Sequence, residues 1–409
     1  MLRGKRVLVG ITGSIAAYKA CDLIQRLKEN GCEVRVAMTP EAAQLVHPHT
    51  LGALSGFSVL TDAWSGVVDG RMDHIAWARW AEVFFIAPAT AHTLAELAHG
   101  LTSHILSLLA LVFTGRVIVA PAMNTQMLHH PATQANLRTL ADRGVVILPT
   151  GEGTLACGEV GEGKLLAVNS LVAHLKTCLS QPSSPLPHLR GKKVLLALGH
   201  TRESIDDVRF ISNRSSGKTG FALARALWLA GAEVHAIIGH VDEAISGEYA
   251  SVVGVSSSQD FQREALQKAP AMDVIILSAA IADFTPTQPK SGKIKDSKAL
   301  KNIELSESPH ILAELGKRKS KSQILVGFAL ETENLLEEAS RKLRARNCDW
   351  VIVNNPVSER DGFGKDDVMA GILGLQGLYL PLQTLSKEAL ASHVLAALET
   401  SLSAGTEIG

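Results

Sequence analysis

The chain has 409 residues, of which 46% are hydrophobic, and its 40 basic and 40 acidic side chains give a formal net charge of zero. This length is sufficient for two domains, and the charge balance excludes the broad positive field that attracts nucleic acid or anionic membranes. Five scattered cysteines, without a Cys-x-x-Cys pair, argue against a disulfide framework and a zinc site and indicate a reducing compartment.

We expect a cytoplasmic protein with no membrane or nucleic-acid partner. The N-terminal region has no apolar segment long enough for a signal peptide. The most apolar stretch, residues 105–122, is interrupted by Gly115-Arg116 and therefore predicts a buried helix followed by a strand.

The sequence begins the same kind of fold twice. Residues 3–8 read Arg-Gly-Lys-Arg-Val-Leu, and residues 190–195 read Arg-Gly-Lys-Lys-Val-Leu. In both halves, short β-branched runs alternate with helical stretches, which is typical of parallel strands buried on both faces. Residues 180–188 contain three prolines and three serines, a composition that interrupts helices and strands. The predicted fold class is α/β, with two Rossmann-like open parallel-sheet domains, residues 1–180 and 190–409, joined by this linker.

In the first domain, the first predicted strand ends in Thr12-Gly13-Ser14, and a helix follows directly. Ser14 stands at the N-cap position, and a helix N terminus behind a glycine turn can bind an anion such as a mononucleotide phosphate. The turn lacks Gly-x-Gly-x-x-Gly, which counts against an ordinary dinucleotide site. The turn alone leaves two interpretations equally open, a capped helix without a ligand and a phosphate site.

Three further stretches of the first domain carry chemically useful side chains. His74 lies shortly before the third predicted strand, and residues 119–124, Val-Ala-Pro-Ala-Met-Asn, place Asn124 at the carboxyl end of a strand, where open sheets bind ligands. Cys157 lies within residues 151–163, whose five glycines predict a mobile flap. Each has a structural alternative: a structural histidine, a turn cap, and a cysteine in a loose loop.

In the second domain, the first strand leads into a serine- and glycine-rich turn. Gly217-Lys218-Thr219 resembles the end of a P-loop, but Ser212 occupies the position where that motif requires glycine. The turn still precedes a predicted helix over residues 221–230, whose N terminus favours anions. Residues 285–302, rich in Pro, Ser and Lys, fit either a disordered surface loop or a cationic lid over a triphosphate, with lysines at 290, 293, 295 and 298.

Together these motifs resemble a known family. His74, the Pro-Ala-Met-Asn motif ending at Asn124, and Ala-Cys157-Gly are similar to the flavin-containing cysteine decarboxylases. Arg209, Asn213 and the following Ser-Ser-Gly-Lys resemble a ligase signature. Over nearly all of residues 1–400, the chain resembles the bifunctional phosphopantothenoylcysteine decarboxylase/phosphopantothenate–cysteine ligases of coenzyme A synthesis.

The resemblance implies two reactions. The ligase domain couples 4'-phosphopantothenate with L-cysteine through an acyl-cytidylate made from CTP. The decarboxylase domain then converts 4'-phosphopantothenoylcysteine to 4'-phosphopantetheine with FMN. It also implies a homo-oligomer, namely a dodecamer with trimeric decarboxylase and dimeric ligase contacts.

For the first domain, the resemblance implies that His74 acts in the oxidative half-reaction, that Asn124 holds the substrate carboxylate, and that Cys157 delivers a proton in the reductive half. Met127 completes the Pro-Ala-Met-Asn-x-x-Met pattern on the substrate side. The implied FMN contacts are Gly13, Ser14, Ile15, Thr39, Thr90, Thr93 and Ala122. His92 departs from the family, which usually has Asn or Asp at this position.

For the second domain, the resemblance implies that Asn213 stabilises the acyl-cytidylate, with Arg209 beside it. The other implied nucleotide and substrate positions are Asp283, Lys293, Ser308, Pro309, His310, Ile311, Phe328, Lys342 and Arg346. Residues 308–311 replace the usual Asn-Pro-Asp-Ile, and Arg346 replaces a common Lys. Mg²⁺ is expected with CTP, although its ligands cannot be identified from the sequence.

Two other functions remain as alternatives. A nicotinamide-dependent two-domain oxidoreductase is weakened by the missing dinucleotide glycines. An FMN-binding protein without turnover would require neither Asn124 nor Cys157.

Overall fold

Each half of the chain forms an open α/β sheet, which confirms the predicted fold class. The computed structural model describes residues 2–62, 73–181, 186–242, 248–295, 302–331, 333–355 and 366–406. The chain divides into two units, residues 1–179 and 180–409.

The first unit contains a five-stranded parallel sheet in the order β2-β1-β3-β4-β5, and a separate antiparallel hairpin of β6 and β7. The strands are β1 (Arg6–Ile11), β2 (Glu33–Met38), β3 (Val83–Ala89), β4 (Arg116–Pro121), β5 (Val146–Ile147), β6 (Gly151–Thr154) and β7 (Val160–Lys164). The helices are α1 (Ala20–Glu29), α2 (Pro40–Leu45), α3 (Pro48–Ser55), α4 (Asp73–Trp80), α5 (Ala91–His99), α6 (Ile105–Val112), α7 (Thr125–His129), α8 (Pro131–Asp142) and α9 (Val168–Ser180).

The apolar runs of the first unit form its central strands because helices cover both faces of the sheet. All seven residues of β3 are buried, as expected for a strand covered on both sides. Residues 105–122 form α6 and then β4, which confirms the predicted helix and strand. Within the described ranges, no helix is long and apolar enough to cross a membrane.

The second unit contains an eight-stranded sheet in the order β12-β11-β8-β13-β16-β17-β18-β19. Its strands are β8 (Lys193–Leu198), β11 (Glu233–Ile238), β12 (Ser251–Gly254), β13 (Val274–Leu277), β16 (Ile324–Leu330), β17 (Trp350–Asn355), β18 (Asp367–Gly374) and β19 (Gly377–Ser386). Two small hairpins pair β9 (Glu203–Ser204) with β10 (Phe210–Ile211) and β14 (Phe284–Pro286) with β15 (Leu305–Glu307). The helices are α10 (Lys218–Leu229), α11 (Ser258–Lys268), α12 (Ile311–Arg318), α13 (Leu335–Ala345) and α14 (Lys387–Thr406).

The last two strands of this sheet differ from the parallel pattern. β18 pairs antiparallel with both β17 and β19, so the prediction of a purely parallel sheet is wrong at this side of the second sheet. β19 is mostly exposed or half-buried, so its residues do not form the continuous apolar run that identifies a central parallel strand. The turn between β18 and β19 ends at Gly377, whose φ of 118° favours glycine.

Candidate active sites

The first candidate site lies at the carboxyl edge of the first sheet, where three strands run into capped helical turns. Ser14 caps the 3-10 turn after β1, Thr39 caps α2 after β2, and Thr90 caps α5 after β3. Each hydroxyl oxygen accepts a backbone N–H from the turn that it caps, at 3.3–3.4 Å. The edge therefore presents helix N termini and hydroxyl groups, which suit a phosphate-bearing ligand.

Hydrogen bonds join these turns to one another. The Thr12 hydroxyl donates to the Pro88 carbonyl at 2.8 Å and accepts the Thr90 N–H at 3.1 Å. The Ser14 hydroxyl donates to the carbonyl of Ala122, which follows β4, at 3.3 Å. The ends of β1, β3 and β4 are thereby held as one surface.

Gly13 is required by the close packing of the first turn. A Cβ at this position would lie 2.5 Å from the Cβ of Glu41 in α2. Thr93 also belongs to this edge, because its hydroxyl lies 3.2 Å from that of Thr90. Ile15 and Met127 are 63% and 49% exposed, so both present apolar surface.

The amide of Asn124 connects this edge to the flap. Its Oδ1 accepts the Gln126 N–H at 2.8 Å and so caps α7, as the structural alternative required. That bond orients Nδ2 toward the flap, where it lies 3.5 Å from Cys157 Sγ and 2.6 Å from Glu159 Oε2. The structure thus brings together two of the three predicted decarboxylase residues.

The flap is the β6–β7 hairpin, and its glycines allow it to approach the Pro-Ala-Met-Asn segment. The Met123 N–H donates to the Gly163 carbonyl at 2.9 Å, and the Thr125 hydroxyl donates to the Glu162 carbonyl at 2.6 Å. A Cβ at Gly163 would lie 2.2 Å from the Met123 carbonyl oxygen, and one at Gly161 would lie 2.6 Å from Thr125 Oγ1. Cys157 lies exposed in the turn between the two strands.

His74 is placed differently from the other two decarboxylase residues. It is buried in α4, and its Nδ1 has no hydrogen-bond partner among the residues that the structure describes. No contact recorded within the described ranges joins it to Asn124 or Cys157.

The second candidate site is a cavity of about 800 Å³ at the carboxyl edge of the second sheet. Its wall includes the turn before α10 and the ends of β13, β16 and β17. The predicted residues in its lining are Asn213, Asp283, Ser308, Pro309, His310, Ile311, Phe328, Lys342 and Arg346.

Several groups in this cavity can bind a polyanion or hydrogen-bond a ligand. α10 begins after Gly217, and no side chain caps its N terminus. The Ser308 hydroxyl and Asn354 Oδ1 line the cavity, are buried and have no partner within the described part of the chain. Burial lowers the pKa of Lys342, whose ammonium donates to the Phe328 carbonyl at 3.0 Å.

Asn213 is fixed at the edge of the cavity, because its Nδ2 donates to the Ile281 carbonyl at 2.9 Å. Arg209 and Lys293, in contrast, are absent from the lining. Arg209 pairs with buried Asp206 at 2.8 Å, and the other carboxylate contacts of Asp206 include the Ile294 N–H at 3.1 Å. Asp206 therefore connects Arg209 to the predicted lid next to Lys293, while Lys298 lies outside the described residues.

Both candidate sites lie in parts of the chain that are similar to known proteins. The Flavoprotein family model matches residues 1–180, and that of the DNA/pantothenate metabolism flavoprotein C-terminal domain matches residues 189–402. The chain is 38% identical over 395 residues to the coenzyme A biosynthesis bifunctional protein CoaBC of Bacillus subtilis, with 97% of each chain covered. It is also 38% identical to the proteins of that name from Haemophilus influenzae, with 90% of each covered, and Mycobacterium tuberculosis, with 97% of each covered.

The chain belongs to the CoaBC family. Asn124 and Cys157 fall within the Flavoprotein match, and Asn213 and the cavity residues fall within the second match. The resemblance identified from separated motifs is thus confirmed over nearly the whole chain.

Two histidines and one glutamate of the first unit form a cluster, of which only His92 was singled out from the sequence. His92 Nε2 lies 3.3 Å from Glu96 Oε1, and His104 Nε2 lies 2.7 Å from Glu96 Oε2. Their potential ligand atoms lie within 4.8 Å of one another. The Ser107 N–H donates to His104 Nδ1 at 3.3 Å, so the neutral ring carries its proton on Nε2, facing the carboxylate. Glu96 is therefore a buried carboxylate that lies between two imidazoles.

Spacing alone signals only part of this cluster. His92 and Glu96 are four residues apart in α5 and must share a helix face, whereas His104 caps α6. The imidazole of His92 thus faces a buried carboxylate, that of Glu96, on the same helix as Thr93. Glu159 also belongs to the first site but could not be identified from the sequence. Its contact with Asn124 depends on the register of the β6–β7 hairpin.

Proposed function

We propose that this protein catalyses two reactions of coenzyme A synthesis. Residues 190–409 join 4'-phosphopantothenate to L-cysteine with CTP, and residues 1–180 decarboxylate the product, 4'-phosphopantothenoylcysteine, with FMN. The observation that carries the proposal is the Asn124 amide facing the Cys157 thiol across a docked flap. The names of the CoaBC relatives support the same pair of activities.

The decarboxylation explains why an amide and a thiol meet at this site. A cysteine carboxylate has no electron sink next to it, so direct loss of CO₂ would leave an unstabilised carbanion. When FMN is bound, it supplies that sink by accepting a hydride from the substrate and later returning it. The Asn124 Nδ2 group orients the substrate carboxylate, and the exposed Cys157 thiol holds a proton at Sγ for the decarboxylated enethiol. His74 acts in the oxidative half-reaction.

The edge of the first sheet fits FMN. The N termini after Ser14, Thr39 and Thr90 offer backbone N–H groups and hydroxyls to the phosphate. Gly13 keeps the first turn close to α2. Ile15, Thr93 and Ala122 complete the proposed contacts, and Met127 contacts the substrate.

The cavity of the second unit suits a triphosphate and an acyl-nucleotide. A carboxylate is a poor acyl donor, so the reaction first forms an acyl-cytidylate and pyrophosphate, and the cysteine amine then displaces CMP. Asn213 donates to the acyl-cytidylate, while Lys342 and the N terminus of α10 stabilise phosphate charge. Mg²⁺ enters with CTP, and the segment containing Lys293 closes over it as a lid.

The proposal includes a homo-oligomer in the cytoplasm, with trimeric decarboxylase contacts and dimeric ligase contacts that together give a dodecamer. The exposed apolar side chains of Ile15, Tyr18 and Met127 support subunit contacts in the first unit. Small-angle scattering at several protein concentrations tests this arrangement, and a monomeric mass throughout would contradict it.

A reconstituted assay tests the two activities. The purified protein is supplied with FMN, Mg²⁺, CTP, 4'-phosphopantothenate and cysteine, and the products are identified by mass spectrometry. We expect CMP, pyrophosphate, CO₂ and 4'-phosphopantetheine. In the matched reaction without CTP, only supplied 4'-phosphopantothenoylcysteine should be converted. Reduction of a nicotinamide cofactor, with no decarboxylated product, would instead support an oxidoreductase.

A further inference from the structure

The flap offers a carboxylate to the same amide that is assigned to the substrate. Glu159 Oε2 lies 2.6 Å from Asn124 Nδ2, closer than Cys157 Sγ at 3.5 Å. Because Asn124 Oδ1 is engaged by the Gln126 N–H, the amide cannot rotate away without losing its helix cap. Glu159 therefore accepts a hydrogen bond from an amide group whose direction is fixed.

The backbone of Glu159 is held in the turn of the flap. Its carbonyl accepts the Leu155 N–H at 2.8 Å, and the neighbouring strand is docked through Gly163 and Glu162. The hairpin contains a second carboxylate with a different partner, since Glu162 Oε2 lies 3.0 Å from His129 Nε2. The contact with Asn124 is thus specific to Glu159 and does not follow from negative charge on the hairpin in general.

We propose that Glu159 is a positioning residue that exchanges places with the substrate carboxylate on Asn124. This inference rests on the proposed decarboxylase function. The Nδ2 group has two hydrogens, which are directed at Cys157 Sγ and Glu159 Oε2. Two carboxylates at this one amide repel each other, so substrate binding displaces Glu159. The substrate carboxylate then leaves as neutral CO₂, which vacates the amide.

The return of Glu159 couples loss of CO₂ to closure of the flap. Cys157 and Glu159 are two residues apart in the same turn, so the carboxylate that binds Asn124 again brings the thiol toward the decarboxylated intermediate. Glu159 transfers neither a proton nor an electron in this exchange. It competes with the substrate before the reaction and orders the flap after CO₂ has left.

Glu159→Gln tests the exchange, because glutamine keeps the length of the side chain and removes its charge. The FMN-loaded full chain is assayed with 4'-phosphopantothenoylcysteine under steady-state conditions. We expect KM to fall about two- to tenfold, because the variant lacks the charged group that competes with the substrate for one hydrogen bond. We expect kcat to fall as well, because the flap is then ordered less well after CO₂ has left. Glu159→Asp retains the charge and should move both constants back toward those of the unmodified protein.

Two controls separate this role from general effects of charge. Glu152→Gln removes one charge from an exposed position of β6 in the same hairpin and should leave KM unchanged. Inhibition by 4'-phosphopantetheine, which has no carboxylate at this position, should be the same for the unmodified protein and Glu159→Gln. An unchanged or higher KM for Glu159→Gln in an active decarboxylase would overturn the inference alone. Absence of decarboxylation by the unmodified protein would overturn the proposed function and this inference with it.

Discussion

At the scale of single residues, each candidate site uses one asparagine whose amide is fixed by a backbone contact. Asn124 caps α7 through its oxygen, and Asn213 donates to the Ile281 carbonyl at 2.9 Å. A fixed amide directs its hydrogen-bonding groups without a rotational cost during the reaction. In the proposed mechanism, the same residue type acts on two different substrates, from a strand end in one unit and from a turn in the other.

Asn213→Ala should separate the two activities. We expect coupling of cysteine to 4'-phosphopantothenate to fall about 100-fold or more, as when one donor to developing charge is removed. Decarboxylation of supplied 4'-phosphopantothenoylcysteine should remain near that of the unmodified protein, because Asn213 lies in the second unit. CMP release and CO₂ release measure the two reactions separately. Equal losses of both would indicate misfolding and contradict the assignment.

At the scale of elements, the flap depends on glycine where its backbone meets the Asn124 segment. Gly163 has a φ of 112°, and a Cβ there would lie 2.2 Å from the Met123 carbonyl oxygen. Gly163 is also the residue whose carbonyl accepts the Met123 N–H, so the tight packing and the positive φ occur at the docking contact itself. The position of Cys157 over Asn124 therefore depends on this docking contact.

Gly163→Ala should displace the flap and lower the rate of 4'-phosphopantetheine formation about tenfold or more, because misplaced catalytic groups lose much of their effect. Gly153→Ala is the matched control in the same hairpin. Its φ is 132°, but the nearest atom to an added Cβ is the flexible Lys164 Nζ at 3.7 Å. A stopped-flow assay of product formation compares the variants. Similar rates for the two would show that the docking contact is unimportant.

The sequence predicts the elements well where the signal is local. Asn124 was expected at the end of a strand and Cys157 on a glycine-rich flap, because apolar runs and glycine clusters report on neighbouring residues. The contact of Glu159 with Asn124 was not predictable, since it depends on the register of β6 and β7. β19 was missed because an edge strand needs no continuous apolar run, and β18 was missed because its buried residues are interrupted by half-buried ones.

At the scale of the whole molecule, each unit has its candidate site at the carboxyl edge of its own sheet. The first unit places capped turns there, whereas the second surrounds an 800 Å³ cavity. In open α/β sheets, this edge brings residues from separate loops together. That geometry explains why motifs far apart in sequence converge on two sites.

Three partly buried histidines make the stability of the protein sensitive to acid. Burial, followed by the nearby Arg202 charge, lowers the pKa of His200 and His240 below the ordinary value of 6.5. Burial also lowers the pKa of His104. As the pH falls below about 6.5, the unfolded chain takes up protons that the folded chain resists, so the free energy of unfolding decreases.

Urea unfolding at pH values of about 7.5 and 5.5 measures this effect. We expect a lower midpoint at the more acidic pH and a smaller decrease for His240→Gln, which removes one of these groups. Most carboxylates titrate below this range and contribute little to the change. A midpoint that is higher at acidic pH would contradict the interpretation of these partly buried histidines.

The central claim is that Asn124 and Cys157 form a decarboxylase site, and Cys157→Ser tests it most directly. The variant and the unmodified protein are incubated with FMN and 4'-phosphopantothenoylcysteine, with Cys21→Ser as the matched control, and the products are followed by mass spectrometry. We expect Cys157→Ser to release CO₂ and accumulate the decarboxylated enethiol, because it lacks the thiol that protonates this intermediate. Cys21→Ser should yield 4'-phosphopantetheine. Formation of 4'-phosphopantetheine by Cys157→Ser at the rate of the unmodified protein would contradict the account.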